Sequence, residues 1–485
     1  MGRIHHNQTR LVTRCEQDDW ESTSIHRDSQ DNILELSRSA TLVVAANDSP
    51  AKSKAGADYV CDGTADDVEI QAAIDALSGN AGSIMLLEGT FNISTTLDLN
   101  NTPVKLCGQG INRTILQLAN SANTKLLVDN DAITGVEICG IDFNGNGANQ
   151  SDAASRAERN LVEFDYKTDS QIHHCRFRNT RHGGALSFQY GARVNIHHNH
   201  FVNNNVSGVH NCDHLFTGIN NNIIIQSNHF DTCTDVAIAS DNNREVVISN
   251  NVIDGCARGS ISHWNADDDL QTPTRSIIQG NWIRGDCLYG IIIGRASGES
   301  KVAERVIVTG NYIEAHTTAG NVGIDWRDGA YNGVITGNFI YADTGCIGIY
   351  IAGSTLFVTD NLFSGAGDGI ETIAGSDYVY VFDNYFQGGT IVETVAPSNK
   401  KYRGNLGYTT ENSGTATLAN GNTSIAVNHG LDVIPAAGDI VVTPIEAWGA
   451  MTQFYIDTYT STQFTIHADQ DPGQDVDFAW KAIVL

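Results

Sequence analysis

Residues 172–177 read IHHCRF, and the phrase returns as IHHNHF at 196–201, IQSNHF at 225–230, ISNNVI at 248–253 and IQGNWI at 278–283. It continues as VTGNYI at 308–313, ITGNFI at 335–340, VTDNLF at 358–363 and VFDNYF at 381–386. The fourth position is Cys175 and then Asn199, Asn228, Asn251, Asn281, Asn311, Asn338, Asn361 and Asn384, recurring every 23 to 30 residues. A spacing in that range marks stacked units, each burying its apolar face against the next.

Every unit carries a second phrase of alternating character: GALSF at 184–188, GVHNC at 208–212, GSISH at 259–263, GIIIG at 290–294, GIDWR at 323–327, GIYIA at 348–352 and GIETI at 369–373. Two or three short strands per unit, with no helical period between them, predict an all-β coil of parallel strands. One Asn per coil at a fixed place predicts a ladder of side-chain amides. Cys233, Cys256 and Cys287 follow their ladder Asn by five, five and six residues, which predicts a second internal stack, of thiols.

Upstream, SIMLLEGTFNIS at 83–94, VKLCGQGINRTILQL at 104–118 and VEICGIDFNGN at 136–146 read as earlier, less regular coils. Before them, Ile70, Ala73, Ile74 and Leu77 fall at i, i+3, i+4 and i+7, behind Thr64, Asp66 and Asp67 at the positive end of a helix. Such a helix covers the open end of a solenoid core. ADYVCDGTADDVEIQAAIDAL followed by EGTFNIS and LCGQG resembles the N-terminal cap of right-handed parallel β-helix proteins of the pectate-lyase-like superfamily, a pattern also seen in phage tailspikes. The resemblance implies a polysaccharide-cleaving enzyme, a glycoside hydrolase or lyase, extracellular or virion-associated. The same fold also hosts non-catalytic glycan-binding adhesins or structural spikes and uronan C5-epimerases. The DPHD signature of mannuronan epimerases is missing, and ARGS at 257–260 and GIDW at 323–326 stand where the last two polygalacturonase motifs are sought.

The expected organisation is an arm at 1–40, a parallel β-helix at 41–395 with its capping helix, and a small antiparallel β-sandwich at 396–485, where short alternating strands replace the repeat. Twenty-nine Lys and Arg against 56 Asp and Glu give −27, a field that disfavours nucleic acid and membrane surfaces as partners. The first 22 residues hold no apolar region of roughly 7–15 residues, so no signal peptide is expected. The ten cysteines are spread without a CxxC pair and read as mostly buried thiols. By resemblance to tail proteins the chain is expected to be a homotrimer, with Ile238, Ile261 and Ile292 exposed for contact or as groove floor.

Alternation along the second phrase predicts an outward row of Leu186, His210, Ile238, Ile261, Ile292, Asp325, Tyr350 and Glu371, one residue per coil at about 4.8 Å spacing. Strand ends add Asp213, Asp241, Trp264, Arg295, Arg327 and Asp328, with Glu163 and Asp165 before them. Carboxylates for proton transfer, flat rings for pyranose stacking and guanidinium forks for hydroxyls or uronates are the inventory a sugar polymer needs. The expected catalytic residues are His210, Asp213, Asp241 and Asp325; the expected substrate-binding residues are Trp264, Arg295, Arg327, Tyr350 and Glu371. His197 and His198 read as turn or stacking residues. No cofactor is required, and the acidic run Asp267, Asp268 and Asp269 suits calcium.

Overall fold

The computed structural model describes residues 41–484 except 78, 100–102, 130, 152–159, 182, 205–214, 219, 266–273, 296–301 and 317–319, together with two short strands nearer the N-terminus. The side chains of Leu215, Phe216, Trp264 and Asn265 also lie outside the description. The two short strands, His26–Arg27 and Ile33–Leu34, pair antiparallel in a unit separate from the rest of the chain.

From Thr41 onward the chain winds through three parallel sheets of 12, 16 and 12 strands. Each coil enters the groove sheet (Leu97–Asp98 through Ile391–Glu393), then the ladder sheet (Thr41–Ala45 through Lys400–Arg403), then the aromatic sheet (Gly89–Ile93 through Tyr385–Phe386). This is the predicted parallel β-helix. Between the ladder and aromatic sheets the chain turns through the repeating Asn, and the amides form the predicted ladder. Asn228 Oδ1 accepts from the backbone N–H and Nδ2 of Asn199 at 3.0 and 3.1 Å, and Asn228 Nδ2 donates back to Ile196 O at 2.9 Å. The arrangement repeats to Asn384, whose partner is Asn405. A second, shorter amide ladder lies at the other turn: Gly191 N–H donates to Asn220 Oδ1, and Asn220 N–H to Asn243 Oδ1.

The core is a set of vertical stacks. Phe143, Phe177, Phe201 and Phe230 stack at 5.0, 4.9 and 4.7 Å, and Cys233 pairs in register with Cys256. Cys256 and Cys287 are both buried thiols raised by burial, with Cys233 beside them, so the thiol stack stands. Not every cysteine is a thiol. Cys107 and Cys139 occupy the same register in adjacent coils and form a disulfide across 32 residues of sequence. The helix Asp67–Ala76 caps the stack through buried Ile70, Ala73 and Ile74. Its acids serve the first coil rather than the helix end: Asp66 accepts from Asn92 N–H and Asp67 from Ser94 N–H, both at 2.7 Å.

The stack runs further than expected. Val379–Phe382 pairs with Lys400–Arg403, and Asn405 extends the ladder, so parallel structure continues past 395. Beyond Tyr408 two three-stranded antiparallel sheets follow, Glu411–Leu418 with Val476–Ile483 and Ile440–Pro444, and Ser424–Asn428 with Gln463–Ala468 and Phe454–Asp457. They share a core that includes Leu418, Phe464, Ile466, Phe478 and Trp480, which makes the predicted sandwich. Among the described residues no helix is long and apolar enough to cross a membrane.

Candidate functional site

Among the described side chains the groove sheet has one inward row through Leu186, Ile238, Ile261, Ile291, Ile324, Ile349 and Ile370. The next residue on each strand faces out: Glu163, Ser187, Ala239, Ser262, Ile292, Asp325, Tyr350 and Glu371. The expected row is therefore right for Ile292, Asp325, Tyr350 and Glu371. It is wrong for Leu186, Ile238 and Ile261, which are fully buried in the core. The cause is a one-residue slip, which moves a side chain to the opposite face. Gly259 pairs with Tyr289, not with Gly290, so aligning the phrases on their glycines put the early coils out of register.

His210, Asp213 and the acidic run at 267–269 lie outside the described residues. Among the described residues the coil of His210 and Asp213 contributes the strand Leu215–Gly218, whose Gly218 pairs with Asp241. Asp241 pairs onward with Trp264, and Trp264 with Gly294. Arg295 is one position further along and binds Asp328 at 2.8 Å.

Over these coils lies a cavity of about 310 Å³, whose lining includes Asp235, Asp241, Arg258, Tyr289, Ile292 and Arg327. Its volume is at the lower end for small-ligand pockets, ~300–1,000 Å³. Small side chains make the hollow: Ala239 and Ser262 hold the outward row where the next coils place Ile292 and Asp325. Gly294 has φ +156°, and a Cβ there would meet Arg327 Cβ at 2.7 Å. Arg327 lays its guanidinium over the Tyr289 ring at 4.7 Å. On the far wall Asp235, 1% exposed, faces Arg258 at 3.4 Å. Arg258 comes from ARGS, and the neighbouring acid Asp325 from GIDW, so both phrases reach the groove.

Asp325 is the most enclosed acid of the outward row, 1% exposed. Arg327 Nε donates to its Oδ2 at 2.6 Å, while its Oδ1 is buried with no hydrogen-bond partner among the described residues. Burial raises its pKa, and the Arg327 charge offsets this only in part. Tyr350 follows in register, its phenol raised by burial and then by Glu371 and Asp325. Glu371 comes next and accepts from Thr394 Oγ1 at 2.7 Å. Two coil steps, roughly 9.6 Å, separate Asp325 from Glu371, close to the ~6.5–9.5 Å that lets a water sit between two carboxyls. Asp241 is three steps from the Asp325 coil, roughly 14 Å, so those two cannot share one bond.

Nearer the N-terminus, Glu163 and Asp165 belong to a second charged group. Lys167 Nζ binds Asp129 Oδ1 at 2.9 Å with both side chains sealed from solvent, and Lys125 binds Glu163 at 2.7 Å. Beside them Asp165 is pushed up to about 6, by burial first and then by Glu163. Lys125 and Lys167 meet their acids across 38 residues of sequence in both cases, through the stacking of coils.

The family model described as rhamnogalacturonase A/epimerase, pectate lyase-like, matches residues 56–261. No curated protein sequence matches the chain. Among solved structures, the A-module of mannuronan C-5 epimerase AlgE6 from Azotobacter vinelandii superposes with a TM-score of 0.56 at 17% identity, covering 70% of this chain and 94% of that one. A tailspike of E. coli bacteriophage HK620, in complex with a hexasaccharide, gives 0.54 at 14% identity, covering 86% and 89%. The Dettilon tailspike protein gives 0.50 at 13% identity, covering 91% and 94%. At these identities the likeness is one of fold. Coil stack, capping helix and family match agree on the fold, a parallel β-helix of the pectate-lyase-like kind.

Proposed function

We propose that the groove hydrolyses a polysaccharide lying along the coils, with Asp325 as general acid and Glu371 as general base. The observation that carries this is Asp325 itself, a sealed carboxyl with a raised pKa and one oxygen unpartnered, two coils from a second carboxyl. A carboxyl whose pKa is raised holds its proton to higher pH than a free one and can give it to the glycosidic oxygen. As the bond from anomeric carbon to leaving oxygen breaks, a water that loses its proton to Glu371 attacks from the other face, inverting the carbon. Arg327 and Tyr289 wall one side, and the cavity at Asp241 and Arg258 supplies a neighbouring sugar subsite. The tailspike that superposes on this chain was solved with an oligosaccharide, which supports a glycan as the ligand class.

One observation favours a second reading, a groove that binds glycan without cleaving it: without ligand, Arg327 engages Asp325 and leaves it almost no exposed surface. A panel of neutral and acidic polysaccharides separates the readings. Reducing ends released with inverted anomeric configuration support hydrolysis. Absorbance from unsaturated uronate means a lyase, proton exchange at C5 without shortening means an epimerase, and binding without product means an adhesin. The same reading places the chain outside the cell or on a virion, as a homotrimer. Ile238 and Ile261 no longer support that assembly, since they are core; exposed Leu406, Ile434, Val441 and Ile445 do. Light scattering at the monomer mass would refute the trimer.

A further inference from the structure

Two residues precede each ladder asparagine, and in most coils they are amide, hydroxyl or glycine residues: Gln226 and Ser227, Ser249 and Asn250, Gln279 and Gly280, Thr309 and Gly310. Two successive coils instead carry imidazoles at both places, His173 with His174 and His197 with His198. The second place has a left-handed backbone, φ 53° at His174 and 54° at both His198 and Asn250. Asparagine, aspartate and histidine enter that region more readily than other non-glycine residues, so the turn accepts an imidazole where other coils place Asn250, Asp360 or Asp383.

Within each pair the two Nδ1 atoms lie 2.8 and 2.9 Å apart, with the rings near perpendicular at 87° and 88°. Between coils His173 stacks on His197 at 4.8 Å and His174 on His198 at 5.1 Å. Across a concavity of about 570 Å³, His200 and His229 face His174 and His198. Two nitrogens this close, each about 2.1 Å from one ion, subtend roughly 85° at it, the near-right angle of a tetragonal site.

We propose that this turn binds a divalent transition-metal ion of the imidazole-preferring class, zinc, nickel or copper(II), through the paired Nδ1 atoms of one coil. Stack spacings of 4.8 and 5.1 Å exceed the ~4.2 Å spanned by two opposed ligands, so one ion takes one pair and completes its shell with water. The outer partner that such a ligand needs is already present: His173 Nε2 lies 3.2 Å from Glu137 Oε1, and Lys105 holds Glu137 at 2.8 Å. With that Nε2–H given to Glu137, His173 Nδ1 offers its lone pair, and His174 carries the proton between the two Nδ1 atoms. On metal binding that proton leaves for His174 Nε2. Calcium does not fit, because it takes oxygen ligands.

The proposal is independent of the groove chemistry. Its test is isothermal titration of the whole chain with ZnCl₂, NiCl₂ and CaCl₂, beside a His174→Asn/His198→Asn variant. Asn250 occupies the equivalent left-handed place, so the variant keeps the turn. A second variant, His173→Gln/His197→Gln, uses the residue found at Gln226 in the next coil. Expected are zinc and nickel binding by the parent, at least tenfold weaker binding in both variants, a calcium response that is the same in parent and variants, and a zinc- or nickel-induced rise in Tm seen only in the parent. Equal affinity in parent and variants, or no zinc or nickel binding at 100 μM, overturns it.

Discussion

A methyl group on Gly333 would stand 1.9 Å from Cη2 of Trp326. Trp326 is the largest fully buried side chain, and the opposite wall of its coil gives way by losing its own side chain altogether. Gly333 pairs with Leu356, so a position filled by an aliphatic residue in the next coil is left empty here. Gly333→Ala should therefore overpack the core and cost about 1–3 kcal/mol. Urea unfolding measures it, and the cost should shrink in a Trp326→Leu background. An equal cost in both backgrounds would show that the ring is not the cause.

The amide ladder makes a second prediction. Asn281 Oδ1 accepts from the N–H and Nδ2 of Asn251, and its Nδ2 donates to Ile248 O. Asn281→Leu strands those buried groups at ~1–3 kcal/mol each, so the loss should reach several kcal/mol. Asn405 ends the ladder and is only half-buried, so Asn405→Leu should cost clearly less. Comparable losses at the two positions would mean that burial of the chain of amides is not what stabilises the turn.

The architecture was legible because one residue per coil has a fixed duty. Asn199 through Asn384 must each satisfy the same turn, and that duty wrote a period into the sequence. The face of the groove strands was only half legible. Glycine does not occupy the same register in every coil, and a slip of one residue at Gly259 sent Ile238 and Ile261 to the wrong side. The Cys107–Cys139 disulfide was illegible because its spacing resembles that of the stacked thiols; only register sets them side by side. The cavity was illegible for a different reason. It is made by small residues at Ala239, Gly259 and Ser262, and a hollow leaves no motif.

The charged group near the N-terminus predicts a pH dependence of stability. Asp165 in the folded protein keeps its proton up to about 6, against the ordinary 3.8. Between those values the folded state holds more protons than the unfolded state, so stability falls as pH rises through that window and stays lower above it. Glu163 strengthens the effect, while Lys125 and Lys167 oppose it. Asp165→Asn should remove the penalty and raise stability above pH 6 by on the order of 2 kcal/mol, with little change near pH 4. Melting temperatures of parent and variant between pH 4 and 8 check this. A gap that widens toward low pH would contradict the sign.

The acid and the subsite of the groove are separable by substitution. Asp325 and Asp241 belong to coils three steps apart, so one can be lost while the other keeps its surroundings. If Asp325 is the general acid, Asp325→Asn should cut kcat by at least ~100-fold while leaving glycan affinity within a few-fold. Asp241→Asn, on the cavity wall, should chiefly raise KM. The pH profile gives an independent readout. An acid must be protonated to act, so activity should fall on the alkaline side of Asp325's raised pKa. Arg327 lowers that pKa, so Arg327→Met should move the alkaline limb to higher pH in whatever activity remains. Glu371→Gln, which removes the base, should also cut kcat by at least ~100-fold. If Asp325→Asn is fully active and Asp241→Asn is dead, the reacting bond lies three coils earlier. If neither changes kcat, the groove holds glycan and does not cut it.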